Sequence, residues 1–392
     1  MNLYDKFASF TEAKILEEQG FYPYFRVISS EQDTEVIVNG KKTLMLGSNS
    51  YLGLTNHPKV KEAAIEATKK YGTGCAGSRF LNGTLDIHIE LEERLANLVG
   101  MDAALAYSTG FQANLGVLST IVGRGEYFVT DKLDHASIID GCRLSFGKML
   151  RFNHNDMDDL ERVLQNIEEA PKLIVVDGIF SMEGDITKLP QIVHLAERYN
   201  AQIMVDDAHS IGVLGEKGSG TSNHFGLTDK TDVIMGTFSK SLASVGGFIA
   251  GNEELMHYLK HFSRPLIFSA SLPPASAATV IAALDIMESE PERIERLWEI
   301  TRYMQKGFVD IGYDIGTSCT PIIPLHVGEL MTAFKMWRML ADDGVFINPV
   351  IPPATPPNDC LIRCSFMATH TDDQIDMALD KFKKVGKKLG VI

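Results

Sequence analysis

Four clusters of reactive side chains in this chain of 392 residues each follow a short apolar run. The first is Ser108-Thr109-Gly110-Phe111-Gln112-Ala113-Asn114, after Ala103 to Tyr107. A hydroxyl and a glycine at a helix start offer main-chain N–H groups and the positive end of a helix dipole, which suits a phosphate. An ordinary helix cap uses the same residue types. The second cluster is Val205-Asp206-Asp207-Ala208-His209-Ser210. Carboxylates at the end of a buried strand are costly unless opposite charge meets them; the plain alternative makes Asp206 a cap. The third is Thr237-Phe238-Ser239-Lys240-Ser241, after Val233 to Gly236 and just ahead of Gly246-Gly247. A lysine desolvated there has a lowered pKa and a free amine that attacks carbonyls, whereas most lysines stay in water. The fourth is Asp134-His135-Ala136-Ser137, after Tyr127 to Thr130. A solitary histidine is ordinarily structural, and this one gains meaning from its company.

Taken together the clusters specify one chemistry. A phosphate cradle, an acid to pair with a ring nitrogen, an imidazole to stack and an amine for a Schiff base are what pyridoxal 5'-phosphate requires.

The elements that must position these groups follow from the pattern. Short apolar runs recur at Ala103 to Tyr107, Tyr127 to Thr130, Leu173 to Asp177, Ile203 to Asp206, Val233 to Gly236 and Phe248 to Ala250. Helical stretches separate them, which predicts a mostly parallel sheet covered on both faces. Open sheets of this kind bind ligands at the C-terminal ends of their strands. Asn56-His57-Pro58 opens a helix, and a second runs from about Leu85 to Val99 with Gly100 as its stop. Ahead of these lie a helix from about Leu3 to Gln19 and a hairpin, Val36 to Val38 and Lys42 to Leu46 about Asn39-Gly40. Near Ser289-Glu290-Pro291-Glu292 a smaller α/β module begins. Its strands are placed at Pro321 to Val327, Gly344 to Asn348 and Leu361 to Phe366, its helices at Pro291 to Gly312, Leu330 to Asp342 and Asp372 to Leu389. A stiff loop, Pro352 to Pro357, lies between them. The organisation is thus residues 1–55 as an N-terminal helix and hairpin segment, 56–290 as a large cofactor-binding domain and 291–392 as a small C-terminal α/β domain.

Other classes fit poorly. Apolar residues make up 45% and charged residues 22%, so the chain can bury a sizeable core. A net charge of −14 disfavours nucleic-acid backbones. No apolar run approaches the roughly 18 residues of a membrane span, and Met1 to Gly20 lacks the pattern of a signal peptide. Five scattered cysteines with no C-x-x-C suggest neither disulfides nor a metal site, and a cytoplasmic location fits. Gly72-Thr73-Gly74-Cys75-Ala76-Gly77 matches a dinucleotide fingerprint in spelling, but a helix precedes it where a strand should. Gly141 to Lys148 is one residue too long for a phosphate loop, and Met149 stands where a hydroxyl belongs. Cys360 and Cys364 fall in or near a strand and read as packing residues.

From about Phe21 to Thr371 the sequence resembles the α-oxoamine synthases, pyridoxal-phosphate enzymes of fold type I. The likeness rests on Gly47 to Leu54, Gly77 to Thr84, Ser108 to Asn114, Asp134 to Ser137, Phe180 to Asp185, Asp206 to His209 and Thr237 to Ser244. It implies a large domain with a mostly parallel seven-stranded sheet between helices, plus a smaller C-terminal domain. It implies an acyltransferase that condenses an amino acid with an acyl-CoA and releases CO2 and CoA. Gly77 to Thr84 and Thr237 to Ser244 look most like the branch that joins L-serine to a long-chain acyl-CoA, giving 3-oxosphinganine for sphingolipid synthesis. Sister synthases using alanine or glycine remain open, as does a non-catalytic regulatory subunit, although such subunits typically lack the Schiff-base lysine.

The resemblance also implies roles. Lys240 forms the Schiff base and moves the substrate's α-proton, Asp206 pairs with the pyridine nitrogen, and His135 stacks on the ring and helps hold the amino acid carboxylate. His209 bonds the phenolic oxygen with Ser181 nearby. Thr109, Gly110, Thr237 and Ser239 hold the phosphate, with Phe111 beside it. Relatives build their sites across a homodimer interface, so Ser269 and Ala270 would come from the partner subunit, with Asn49 near that seam. Arg363 grips the substrate carboxylate. Ile351 departs from relatives that carry an arginine before the proline-rich loop. Lys381, Lys383, Lys384, Lys387 and Lys388, set among Phe382, Val385 and Leu389, suggest a solvated helix end or a peripheral contact with anionic lipid at the inner membrane.

Overall fold

The computed structural model describes residues 2–167, 169–356 and 358–392, so Met1 of the N-terminal segment and Pro357 of the proline-rich loop lie outside the described residues. Asn39 and Gly40 both take positive φ, 50° and 74°, as a two-residue hairpin turn demands. They join strand β1 (Glu35–Val38) to β2 (Lys41–Met45) in antiparallel register. The helix expected over Leu3 to Gln19 is instead two short ones, Leu3–Ala8 and Glu12–Glu18. Neither buries a residue, so no packed face holds one continuous helix together.

The central sheet contains β3 (Ala103–Tyr107), β4 (Tyr127–Asp131), β5 (Lys148–Phe152), β6 (Lys172–Asp177), β7 (Gln202–Asp206), β8 (Val233–Thr237) and β9 (Gly247–Gly251). Its order is β3-β9-β8-β7-β6-β4-β5, and β9 runs antiparallel to both neighbours. Each of the six apolar runs is a strand, within one residue at either end. Strand β5 had no sequence signal: it lies at the sheet edge, and only Phe152 of its five residues is buried.

Pleat parity decides what faces the site. Leu173 and Val175 of β6 pack on one side of the sheet with Met204 and Met235, under helices Gly110–Ile121 and Ala136–Leu144. Ile174, Val176, Ile203 and Val205 pack on the other. Burial on both faces explains the unbroken apolar runs. The same alternation turns Asp177, Asp206 and Thr237 toward the first side, because side chains two residues apart share a face. Register puts Asp177 opposite Asp206, and Asp206 opposite Met235.

A second core gathers the C-terminal residues. There β10 (Ile322–Gly328) and β12 (Asn348–Val350) both pair antiparallel with β13 (Cys360–Ser365). The single strand expected over Gly344 to Asn348 is split. Its first part, β11 (Val345–Phe346), pairs in parallel with β2 and draws the N-terminal hairpin onto this unit. Ile347 between the two pieces is fully buried. Cys360 and Cys364 are buried in β13.

Candidate active site

A cavity of about 340 Å³ opens at the C-terminal ends of the parallel strands. Thr109, Gly110, Phe111, His135, Asp206, His209, Thr237, Ser239 and Lys240 all line it. The sequence placed these in four separate clusters, and the fold brings them together.

The rim at β3 and β8 is built by close approach. Thr109 caps the helix that starts at Gly110, its Oγ1 accepting from Gln112 N at 3.1 Å. A Cβ on Gly110 would stand 2.7 Å from Thr237 Oγ1, and one on Gly247 would stand 2.6 Å from the Gly110 Cα. Glycine at both positions lets the helix start and the two strands converge. Thr237 Oγ1 lies 3.0 Å from Ser239 Oγ. Hydroxyls and helix N–H groups thus share one end of the cavity, and that donor set suits a phosphate.

Charged groups line the same cavity. Asp206 is 3% exposed. Its Oδ2 accepts from Asn114 Nδ2 at 2.7 Å and its Oδ1 from Ala208 N at 3.0 Å. Lys240 follows β8, and burial pushes its amine down to about 8 against the pull of Asp206 and Asp177, with Arg363 adding to the downward push. Burial also holds His135 below the usual imidazole range, Asp206 opposing and Lys240 assisting. His209 is driven well below that range, by burial first and then by Lys240 and Arg363. Its Nδ1 meets the Tyr51 hydroxyl at 2.7 Å.

Arg363, on β13, is 6% exposed. Its Nε donates to Ser181 O at 2.6 Å, one terminal nitrogen to Ser365 Oγ at 2.7 Å and the other to Asn49 Oδ1 at 3.0 Å. Ser181 and Asn49 therefore stand beside Arg363, outside the ring of cavity residues. Ser269 and Ala270 contact the residues that flank Thr109 to Phe111 in their own chain. Ser108 Oγ donates to Ala270 O, and Gln112 Nε2 to Ser269 Oγ at 3.2 Å. Ile351 follows β12 and is half-buried.

Several site residues escaped the sequence reading. Asp177 lines the cavity from the end of β6. Burial raises its pKa well above the carboxylate range, with Asp206 and Asp134 adding to it. Its signal was available, since it ends an apolar strand in a carboxylate as Asp206 does. Ile179, Met235 and Val245 supply apolar walls and carry no chemical signature. His154 sits behind the site, its Nδ1 3.1 Å from Asp131 and its Nε2 3.0 Å from Asp185. Burial works to lower its pKa, but the hydrogen bonds to both carboxylates prevail and lift it to about 10. Among the described residues no group of three or more His, Cys, Asp and Glu is placed to hold a metal ion.

The residues fit a phosphorylated aromatic aldehyde of one ring. Hydroxyls, a carboxylate and a desolvated amine line one cavity, and its volume suits a small molecule.

A family model described as aminotransferase class I and II matches residues 41–382. Serine palmitoyltransferase of Sphingobacterium spiritivorum is 56% identical over 387 residues, covering 98% of this chain and 97% of the relative. Serine palmitoyltransferase of Bacteroides ovatus is 53% identical over 391 residues, covering 100% and 99%. A solved structure of SPT with its PLP internal aldimine superposes with a TM-score of 0.96 at 38% identity, covering 100% of both chains.

Proposed function

The chain belongs to the aminotransferase class I and II family, and on that footing we propose that it is a pyridoxal-phosphate-dependent serine C-palmitoyltransferase. It joins L-serine to palmitoyl-CoA and yields 3-oxosphinganine, CoA and CO2. The observation that carries this reading is a buried lysine amine at about 8 on the same cavity wall as Asp206 and His135.

When bound, pyridoxal phosphate supplies a sink for the electron pair left at the substrate's α-carbon. Thr109, Gly110, Thr237 and Ser239 would hold its phosphate, Asp206 its ring nitrogen, His135 the face of the ring, His209 the phenolic oxygen and Lys240 the aldehyde. The free amine of Lys240, partly neutral near pH 8, could take the substrate's α-proton and return it. Arg363, its guanidinium plane fixed by Ser181 O, Ser365 Oγ and Asn49 Oδ1, would pair with the serine carboxylate. Burial of Asp177 and Asp206 strengthens their charge interactions with Lys240.

The active form is a homodimer in this reading. Phe111 and Val245 line the cavity yet remain 43% and 60% exposed, and Phe268, beside Ser269, is 74% exposed. A second copy would cover this apolar rim. Contact with a membrane surface has weaker support. The C-terminal helix Asp372–Leu389 spends Phe382 and Val385 on the interior core, which withdraws both from contact with lipid. Among the described residues no helix is long and apolar enough to cross a membrane.

The test is a matrix of serine, glycine and alanine against acyl-CoAs of graded length, scored by CoA release and product mass. Serine with palmitoyl-CoA should give the largest kcat/KM and a product of the mass of 3-oxosphinganine. A preference for alanine or glycine would transfer the chain to a sister reaction.

A further inference from the structure

His135 is tied to Asp206 by a hydrogen-bond chain through Ser137, which lines the cavity, and Asn114. Asn114 Nδ2 donates to Asp206 Oδ2 at 2.7 Å and to Ser137 Oγ at 2.8 Å. Ser137 Oγ lies 2.7 Å from His135 Nδ1. Asn114 and Ser137 are 0% and 2% exposed, so bulk water offers neither of them another partner.

Counting donors gives the chain a direction. The amide of Asn114 has two N–H bonds on one nitrogen, and both are used. Turning the amide round would set its oxygen against a carboxylate oxygen of Asp206, acceptor against acceptor. Ser137 Oγ therefore accepts from Asn114, and its own hydrogen is left for His135 Nδ1. The main-chain N–H of Ser137 also points at Nδ1, at 3.3 Å, as at a helix cap. Two donors converge on that nitrogen. A proton there would meet both head-on.

We infer that Asn114 and Ser137 are positioning residues that hold His135 as the neutral tautomer protonated on Nε2. The chain begins at the carboxylate of Asp206, so the same charge that faces the cofactor's ring nitrogen also sets the proton of the stacking imidazole. The consequence is chemical. A neutral ring can lie against a positively charged pyridine ring without repulsion, and its Nε2–H is a donor available to the substrate carboxylate. The usual depression of His135 by burial acts in the same direction. This inference rests on the proposed reading of His135 as the residue against the cofactor, but the tautomer itself does not depend on the reaction.

The experiment is 15N NMR of the full-length protein labelled at histidine, with pyridoxal phosphate and without it, the His135 signals being assigned by their loss in His135→Gln. Wild type should show an acceptor-type Nδ1 and a protonated Nε2, and the ring should stay neutral at pH 6. Ser137→Ala should raise the population carrying a proton on Nδ1 by roughly tenfold, the weight of one hydrogen bond, and Ser137→Thr should restore the wild-type pattern. A wild-type ring protonated on Nδ1 would overturn the inference without any variant. So would a Ser137→Ala protein whose tautomer ratio and titration are unchanged. Product formation is measured in parallel on the same wild-type sample: absence of product beside an Nε2–H ring counts against the reaction alone.

Discussion

The hydroxyl of Tyr51 lies 2.7 Å from Nδ1 of His209, and both side chains are buried. Burial lifts the phenol to about 12, with Arg363 opposing, so it remains a donor at any working pH. An O–H donated to Nδ1, the shorter of the hydroxyl's contacts to Nδ1 and Asn49 Oδ1, leaves Nε2–H as the donor that His209 offers the cavity. Tyr51→Phe removes that partner and strands a buried ring nitrogen, at a cost of about 1–3 kcal/mol. The expected result is a lower urea midpoint and roughly tenfold weaker binding of pyridoxal phosphate, read by equilibrium titration. Unchanged affinity would mean that His209 takes its orientation from elsewhere.

Lys240 should betray its burial in the pH dependence of cofactor loading. Only the neutral amine attacks an aldehyde, and this amine has its midpoint at about 8. The rate at which added pyridoxal phosphate becomes lysine-bound should climb as pH rises toward 8 and level off above it. An exposed lysine would keep gaining until about 10.4. Stopped-flow absorbance from pH 6 to 10 distinguishes the two. Lys240→Ala should show no lysine-bound band and lose at least about 100-fold in turnover.

His154 clamps two carboxylates from separate segments, Asp131 at the end of β4 and Asp185 in the segment that carries Ser181. Its folded pKa of about 10 exceeds the ordinary 6.5. The stabilisation is thus complete below about 6.5 and is lost as pH rises through about 10. His154→Gln should lower stability by about 2 kcal/mol at pH 6, an amount discounted for its partial exposure. The gap in Tm between wild type and variant should narrow steadily between pH 6.5 and 10. A gap independent of pH would show that shape, and not charge, makes the clamp.

Much of this arrangement was legible in the sequence because the central strands are buried on both faces and so advertise themselves as apolar runs. Asp206 and Lys240 stood out as charge placed where apolar strands end. The same logic reached Asp177 in principle, but no neighbouring reactive group drew attention to it. Edge position hid β5, whose exposed residues break the apolar pattern. Tyr51, Asn114 and His154 were not legible as site residues, since their value lies in partners 158, 92 and 31 positions away. Sequence order cannot report such distances until the sheet has brought the strand ends together. The split of Gly344 to Asn348 between two sheets has the same origin, because β2, the partner of its first part, is about 300 residues away, whereas β12 pairs with the nearby β13.

Arg363 provides the sharpest separation between binding and turnover. Its N–H groups reach Ser181 O, Ser365 Oγ and Asn49 Oδ1, with Tyr51 also bonded to it, and these contacts fix the plane of the guanidinium. A lysine carries a similar charge but cannot span those three acceptors and still pair with the carboxylate. Arg363→Lys should therefore raise KM for serine by about 10- to 100-fold, with a smaller fall in kcat. Asn49→Ala frees one terminal nitrogen to swing and should raise KM only a few-fold. If Asn49 acts through the arginine, adding Asn49→Ala to Arg363→Lys should cost almost nothing further, since the plane is already lost. Steady-state kinetics of the two single variants and the double variant decide the matter. Additive losses would place Asn49 on the substrate in its own right, and a fall in kcat alone would remove Arg363 from the carboxylate.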